Sequence, residues 1–182
     1  MGEEPPALPI QRTVDNTRKA DDTMVQVDDE EVQAEEAQDE FADHFACSRP
    51  PNVLVTTNRR CTKSMFEFLG EFMEALPLAT FCERRGYEIK KITQYANNRN
   101  FSDILIFNED RKEVNGMIHI HLPDGPTACY QLQSLKLSKQ IPNCGRATDH
   151  NPELILNGFN TRLGHRVGRM LASLYHQVPY AP

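Results

Sequence analysis

NVLVTTNRRCTKSMFEFLGEFMEALPLATFCERRGYEIKKITQYANNRNFSDILIF, from Asn52 to Phe107, decides the fold. Its first six residues, Asn52–Thr57, are apolar or β-branched with no helical period, which marks a short buried strand. From Lys63 to Leu76 the period changes: Met65, Phe68, Leu69, Phe72, Met73 and Leu76 line one face of a helix. Ser64 and Glu67 have capping-box spacing near its start, and Pro77 stops it. Ala79–Cys82 reads as a second strand. After a turn at Arg84-Arg85-Gly86, Glu88–Asn97 reads as a second helix with Ile89, Ile92 and Tyr95 inward, and Ser102–Phe107 as a third strand. Strand, helix, strand, helix, strand predicts an α/β fold with a mixed, mainly parallel sheet, right-handed crossovers and flanking helices.

Working outward, Asn115-Gly116 predicts a turn, Met117–Leu122 a strand, Pro123–Pro126 another turn and Ala128–Leu137 a long strand. These two strands are expected as an antiparallel hairpin added to the parallel core. Pro142–Pro152 reads as a polar loop, Glu153–Asn157 as a strand and Thr161–Tyr175 as a closing helix with Leu163, Val167, Met170, Leu171 and Leu174 on its apolar face.

On the other side lies a segment of different character. Residues 1–46 hold 14 Asp and Glu against 3 Lys and Arg, a balance of −11, while residues 47–182 hold 17 Lys and Arg against 12 Asp and Glu, a balance of +5. High charge with little apolar content predicts an acidic, disordered tail over residues 1–49, with at most a transient helix near 28–46, and Pro50-Pro51 as the boundary. The first residues have no basic and apolar pattern of a secretory signal, and Pro6 argues against myristoylation at Gly2. No run of about 18 apolar residues predicts a membrane-spanning helix. The five cysteines, Cys47, Cys61, Cys82, Cys129 and Cys144, form no C-x-x-C pair, which excludes a zinc ribbon and fits free thiols in a reducing compartment.

Three basic groups are candidates for phosphate contacts. Arg162, Arg166 and Arg169 fall within a narrow stripe of the closing helix, away from its apolar face. Arg59, Arg60 and Lys63 sit where the first strand meets the first helix. Arg84, Arg85, Lys90 and Lys91, with Arg99, surround the second helix. For each residue taken singly, a solvated surface is the blander reading. Gly164 and Gly168 each cost about 1 kcal/mol inside a helix, which points to close approach of another backbone. His119 and His121 face the same side of a strand; a structural or surface role is favoured over a metal site. There is no G-x-x-x-x-G-K-[ST], no G-x-G-x-x-G and no G-x-S-x-G, and no catalytic constellation, so neither an enzyme nor a resident cofactor or metal is expected.

Three stretches carry a resemblance: FSDILIFNEDRKEVNGMIHIHLPDGPT (Phe101–Thr127), GPTACYQLQSLKL (Gly125–Leu137) and PELILNGFNTRLGHRVGRMLASLY (Pro152–Tyr175). Through them, residues 52–175 resemble the Brix domain of ribosome-biogenesis factors. NEDRK at Asn108–Lys112 and TRLGHRVGRM at Thr161–Met170 are most similar to a branch that serves the large subunit. The resemblance implies a nucleolar, non-enzymatic protein that binds pre-ribosomal RNA of the large subunit, works beside other large-subunit assembly factors and touches no membrane. The alternative within that setting is a protein-interaction module with little direct RNA contact. It also implies a domain of two similar α/β halves, each related in fold to the anticodon-binding domain of some aminoacyl-tRNA synthetases. On that pattern residues 50–182 are the Brix domain, with a first half of about 50–150 and an incomplete second half of about 151–182. The family's domain continues past Tyr175 with further strands and a basic segment, whereas this sequence finishes as HQVPYAP, and an acidic segment stands where that branch has a basic one. Less phosphate neutralisation predicts weaker RNA affinity.

Overall fold

The computed structural model describes residues 11–13, 17, 19, 21–25, 29–146, 148 and 151–177. Along the chain it forms α1 (Glu30–Glu36), α2 (Ala42–Phe45), β1 (Val53–Thr57), α3 (Lys63–Glu74), β2 (Ala79–Phe81), α4 (Ile89–Asn98), β3 (Asp103–Asp110), β4 (Glu113–His121), β5 (Thr127–Gln131) and α5 (Arg162–Ala172). The sheet order is β2-β1-β3-β4-β5. β1 is parallel to both β2 and β3, and β3, β4 and β5 continue as an antiparallel meander. The sheet is therefore the mixed one expected, with its antiparallel hairpin attached to a βαβαβ core.

β1 and the first half of β3 are buried on both faces, which is why they read as unbroken apolar runs. Val53, Val55, Leu105 and Phe107 pack with Met65, Phe68 and Leu69 of α3. Phe68 and Phe72 both meet the Phe107 ring edge-on, at centroid distances of 5.0 and 4.9 Å. Leu54, Ile104 and Ile106 point the other way, onto Ile92 and Ala96 of α4. Leu174 and Tyr175, just past α5, join the α3 side. Among the described residues, no helix is long and apolar enough to cross a membrane.

Several local expectations fail for identifiable reasons. The β3–β4 turn is at Arg111-Lys112, both with positive φ (50° and 67°), while Asn115 and Gly116 lie inside β4 beyond a register shift at Asn108/Glu109. α3 starts from Thr62 and not from a Ser64–Glu67 box: the Thr62 N–H and hydroxyl both donate to the carboxylate of Glu109, the N–H at 2.8 Å. Ala96, 1% exposed, takes the inward place expected of Tyr95, which is 53% exposed. β5 ends at Gln131, and Ser134 turns away with φ 54°. Residues 153–157 form no strand; beyond them Thr161 makes an isolated antiparallel bridge with Met24. On α5, Leu163 is 74% exposed, so the buried stripe is rotated toward Gly168, Met170 and, beyond the helix, Leu174.

The largest correction concerns the acidic segment. The part from Asp29 to Ala46, expected to be disordered, forms α1 and α2. The Asp29 carboxylate caps α1 by accepting from the Glu31 and Val32 N–H groups. Val32 and Phe41 are buried, Phe41 completely. Composition alone misses this because the ordering partners are about 130 residues away, on α5. The portion of the disordered reading that falls on residues 1–10, 14–16, 18, 20 and 26–28 lies outside the described residues.

Candidate nucleic-acid interface

α5 begins where the Thr161 hydroxyl accepts from the Gly164 N–H at 3.0 Å. A Cβ at Gly164 would lie 3.3 Å from Phe159 Cα and 3.1 Å from Thr161 Oγ1, and one at Gly168 would lie 3.6 Å from the Phe159 ring. At Gly164 the backbone of the preceding segment does come close, as expected, whereas at Gly168 the neighbours are the Phe159 and Leu156 side chains at ordinary contact distance.

The arginine stripe forms as expected, but it faces carboxylates. Arg162 reaches Glu31 at 2.9 Å and Glu35 at 3.7 Å. Arg166 pairs with Glu40. Arg169 grips both carboxylate oxygens of Asp39, at 2.7 and 2.8 Å, and donates to the Glu36 backbone oxygen at 2.8 Å. His165 lies 3.3 Å from Glu36. The Arg169 guanidinium also stacks 4.3 Å from the centre of the Phe45 ring. Fork-to-fork geometry of this kind suits carboxylate and phosphate alike. Arg169 and Asp39 are the most sheltered members, with side chains 16% and 5% exposed.

The other two basic groups remain open. Arg59 and Arg60 are exposed between β1 and α3, and Lys63 is exposed with a loose i,i+4 pair to Glu67 at 3.4 Å. Arg84 is half-buried and its Nε donates to the Tyr87 backbone oxygen at 2.8 Å. Arg85 sits 3.7 Å from Glu83, and Lys90 and Lys91 are exposed on α4. Because α4 packs on one face of the sheet and the α5 end on the other, with α3, the structure separates the α4 group from the stripe, whereas Arg59, Arg60 and Lys63 lead into a helix on the same face as the α5 end.

A buried polar cluster went unforeseen. His119 Nε2 and His121 Nδ1 lie 2.9 and 2.7 Å from one oxygen of Asp103, and the Asp103 and His119 side chains are fully buried. Sequence reading finds the His-x-His pair, but the carboxylate comes from the neighbouring strand, where Asp103 is the partner of His121. Burial pushes Asp103 up, but the two histidine hydrogen bonds and charges outweigh it and hold the carboxyl below its usual range. For His121, burial works downward, but the hydrogen bond and charge of Asp103, joined by a backbone hydrogen bond and the charge of Glu40, raise it. The Phe41 ring lies 4.6 Å from the His121 ring, so the acidic segment is seated on this cluster as well as on α5. Among the described residues, no set of three or more His, Cys, Asp or Glu side chains is arranged to hold a metal ion.

The Brix-domain profile matches residues 58–182. Over 181 residues the chain is 41% identical to ribosome production factor 1 of Xenopus laevis, covering 99% of this chain and 53% of that protein. Over 173 residues it is 43% identical to ribosome production factor 1 of Saccharomyces cerevisiae, covering 93% of this chain and 57% of that one. The chain therefore spans about half the length of the curated relatives it matches. Among solved structures, the probable ribosomal biogenesis protein from Aeropyrum pernix K1 shares the fold, with a TM-score of 0.53 over 72% of this chain and 77% of that chain at 18% identity.

Proposed function

The chain belongs to the Brix-domain family, and from that premise we propose that it is a ribosome-biogenesis factor that binds pre-ribosomal RNA of the large subunit during assembly and rRNA processing. It acts in the nucleolus, beside other large-subunit assembly factors, by binding and not by catalysis. The observation that carries this reading is similarity along nearly the whole chain to proteins named ribosome production factor 1. In this reading the Brix domain runs from about residue 50 to 182, in a first part of about 50–150 and a second of about 151–182, behind an acidic segment of about 1–49.

Charge indicates how the RNA is met. Arg59, Arg60 and Lys63, and Arg84, Arg85, Lys90 and Lys91, are the first contacts for phosphate. Arg162, Arg166 and Arg169 are a second site whose places are held by carboxylates of α1 and of the turn that follows it. RNA engages that stripe when its phosphates displace Glu31, Glu36, Asp39 and Glu40. Crosslinking and sequencing of RNA bound to the tagged chain in cells tests the assignment. Enrichment of large-subunit precursor RNA is expected, and enrichment of small-subunit precursor alone, or of none, overturns it.

A second reading, a protein-interaction module with little RNA contact, draws on one observation: Ile155 and Leu163 are 84% and 74% exposed near and on α5. An apolar interface would hold at high salt, whereas an RNA complex weakens steeply with ionic strength.

A further inference from the structure

A cleft of about 330 Å³ opens between α4 and the β1–β2 edge of the sheet. Leu54 and Ile92 form an apolar part of its lining. Thr56 also lines it, 2% exposed, and its hydroxyl has no hydrogen-bond partner among the described residues. Leaving a buried hydroxyl unpaired costs free energy, so an unpaired one lining a cleft marks a place for a ligand atom. Two tyrosines border the cleft, Tyr87 and Tyr95, 49% and 53% exposed. Their rings stand edge to face, 89° apart with centroids separated by 5.9 Å. Arg84 and Arg99 also line the cleft, with Arg84 tied to the Tyr87 backbone, and so does Glu83, whose carboxylate lies 3.7 Å from Arg85.

We propose that this cleft is a subsite for one unpaired nucleobase of an RNA strand, stacked on one tyrosine face and bordered by the other ring, with its flanking phosphates on Arg84 and Arg99. The inference rests on the RNA-binding reading above and adds the kind of RNA: single-stranded at this point. The volume is at the small end for ligand pockets and suits one ring system, not a larger molecule. Exposed aromatic faces beside guanidiniums are the chemistry that holds single-stranded nucleic acid, because every base has a flat face and every linkage a charge. A base inside a duplex is already stacked and reaches such a cleft only by leaving its helix. Lys90 and Lys91 on the same helix extend the cationic surroundings along the strand.

The test is a binding titration of the full chain with a short unstructured RNA carrying a fluorescent adenine analogue, and with the same sequence paired into a duplex. For single-stranded RNA, Tyr95→Ala and Tyr87→Ala are expected to weaken binding about tenfold each and to abolish the change in analogue fluorescence. Tyr95→Phe, which keeps the ring, restores both. Affinity for the duplex and the salt dependence stay at wild-type values, since no phosphate contact is removed. Tyrosine variants that bind single-stranded RNA as tightly as wild type, or that lose both RNAs equally, overturn the subsite while leaving RNA binding in place. A wild-type chain that binds neither RNA overturns the RNA reading itself, and that result is seen before any variant is made.

Discussion

Asp103 serves two imidazoles at once from a position with no solvent contact, and its charge is therefore expensive to strand. Asp103→Asn is expected to destabilise the fold by about 3–5 kcal/mol, read by denaturant titration. The loss depends on pH in a defined sense. His121 is raised above its ordinary 6.5, so its contribution is whole below that value and fades as pH climbs through the raised one. Asp103 is lowered below its ordinary 3.8, so its contribution is whole above that value and fades as pH falls through the lowered one. The gap between wild type and Asp103→Asn should thus be widest between 3.8 and 6.5. A gap that grows above neutrality would sink this account. His44 is shifted oppositely, lowered chiefly by burial, so ring NMR should show His121 titrating above His44. Gly125 belongs to the same neighbourhood: a Cβ there would fall 2.7 Å from His121 Cδ2, and Gly125→Ala is expected to cost about 1–3 kcal/mol through displacement of that ring.

On the proposed RNA-binding reading, the contact of α1 and α2 with α5 sets carboxylate against RNA phosphate for the same guanidiniums. Changing Glu36, Asp39 and Glu40 together to Gln, Asn and Gln is expected to raise RNA affinity. It should also steepen the log-affinity against log-salt slope by about 0.7–0.9 for each stripe arginine that then meets a phosphate. Filter binding across a salt series reads both, and an unchanged slope would leave the stripe as a clamp for the acidic segment and nothing more. The stability cost should be small for the half-exposed pairs of Arg162 and Arg166, about 0.2–1 kcal/mol each, and larger for the sheltered Arg169–Asp39 fork. The stripe was legible because its spacing follows from the helix alone. Its occupants were not, because residues 30–46 have too little apolar content to order themselves and gain order only on α5. The same division separates the elements found from those missed. β1, α3, β2, α4 and β3 announce themselves by period, whereas the Arg111-Lys112 turn overrides an Asn-Gly signal through the register of its sheet neighbours.

Across the whole molecule the open basic group of α4 and the occupied stripe lie on different sides of the fold, and because carboxylates of the acidic segment hold the stripe, their effects on RNA binding should differ with the state of that segment. Reversing Arg84, Arg85, Lys90 and Lys91 to Glu is expected to weaken RNA binding in the native chain. Reversing Arg162, Arg166 and Arg169 should matter chiefly once Glu36, Asp39 and Glu40 have been neutralised, and a double-variant comparison of binding constants measures that dependence. Equal losses in both backgrounds would show that the acidic segment does not compete. The clasp that couples the two regions has a consequence in time. Met24 bridges to Thr161, and Arg162 N–H donates to the Thr23 backbone oxygen, so a segment made early is fastened by a helix made well over a hundred residues later. At about 5–20 residues per second, some 130 residues of synthesis separate Asp39 from Arg169, on the order of ten seconds. Throughout that interval the nascent chain carries its acidic segment without the arginines that hold it in the folded structure.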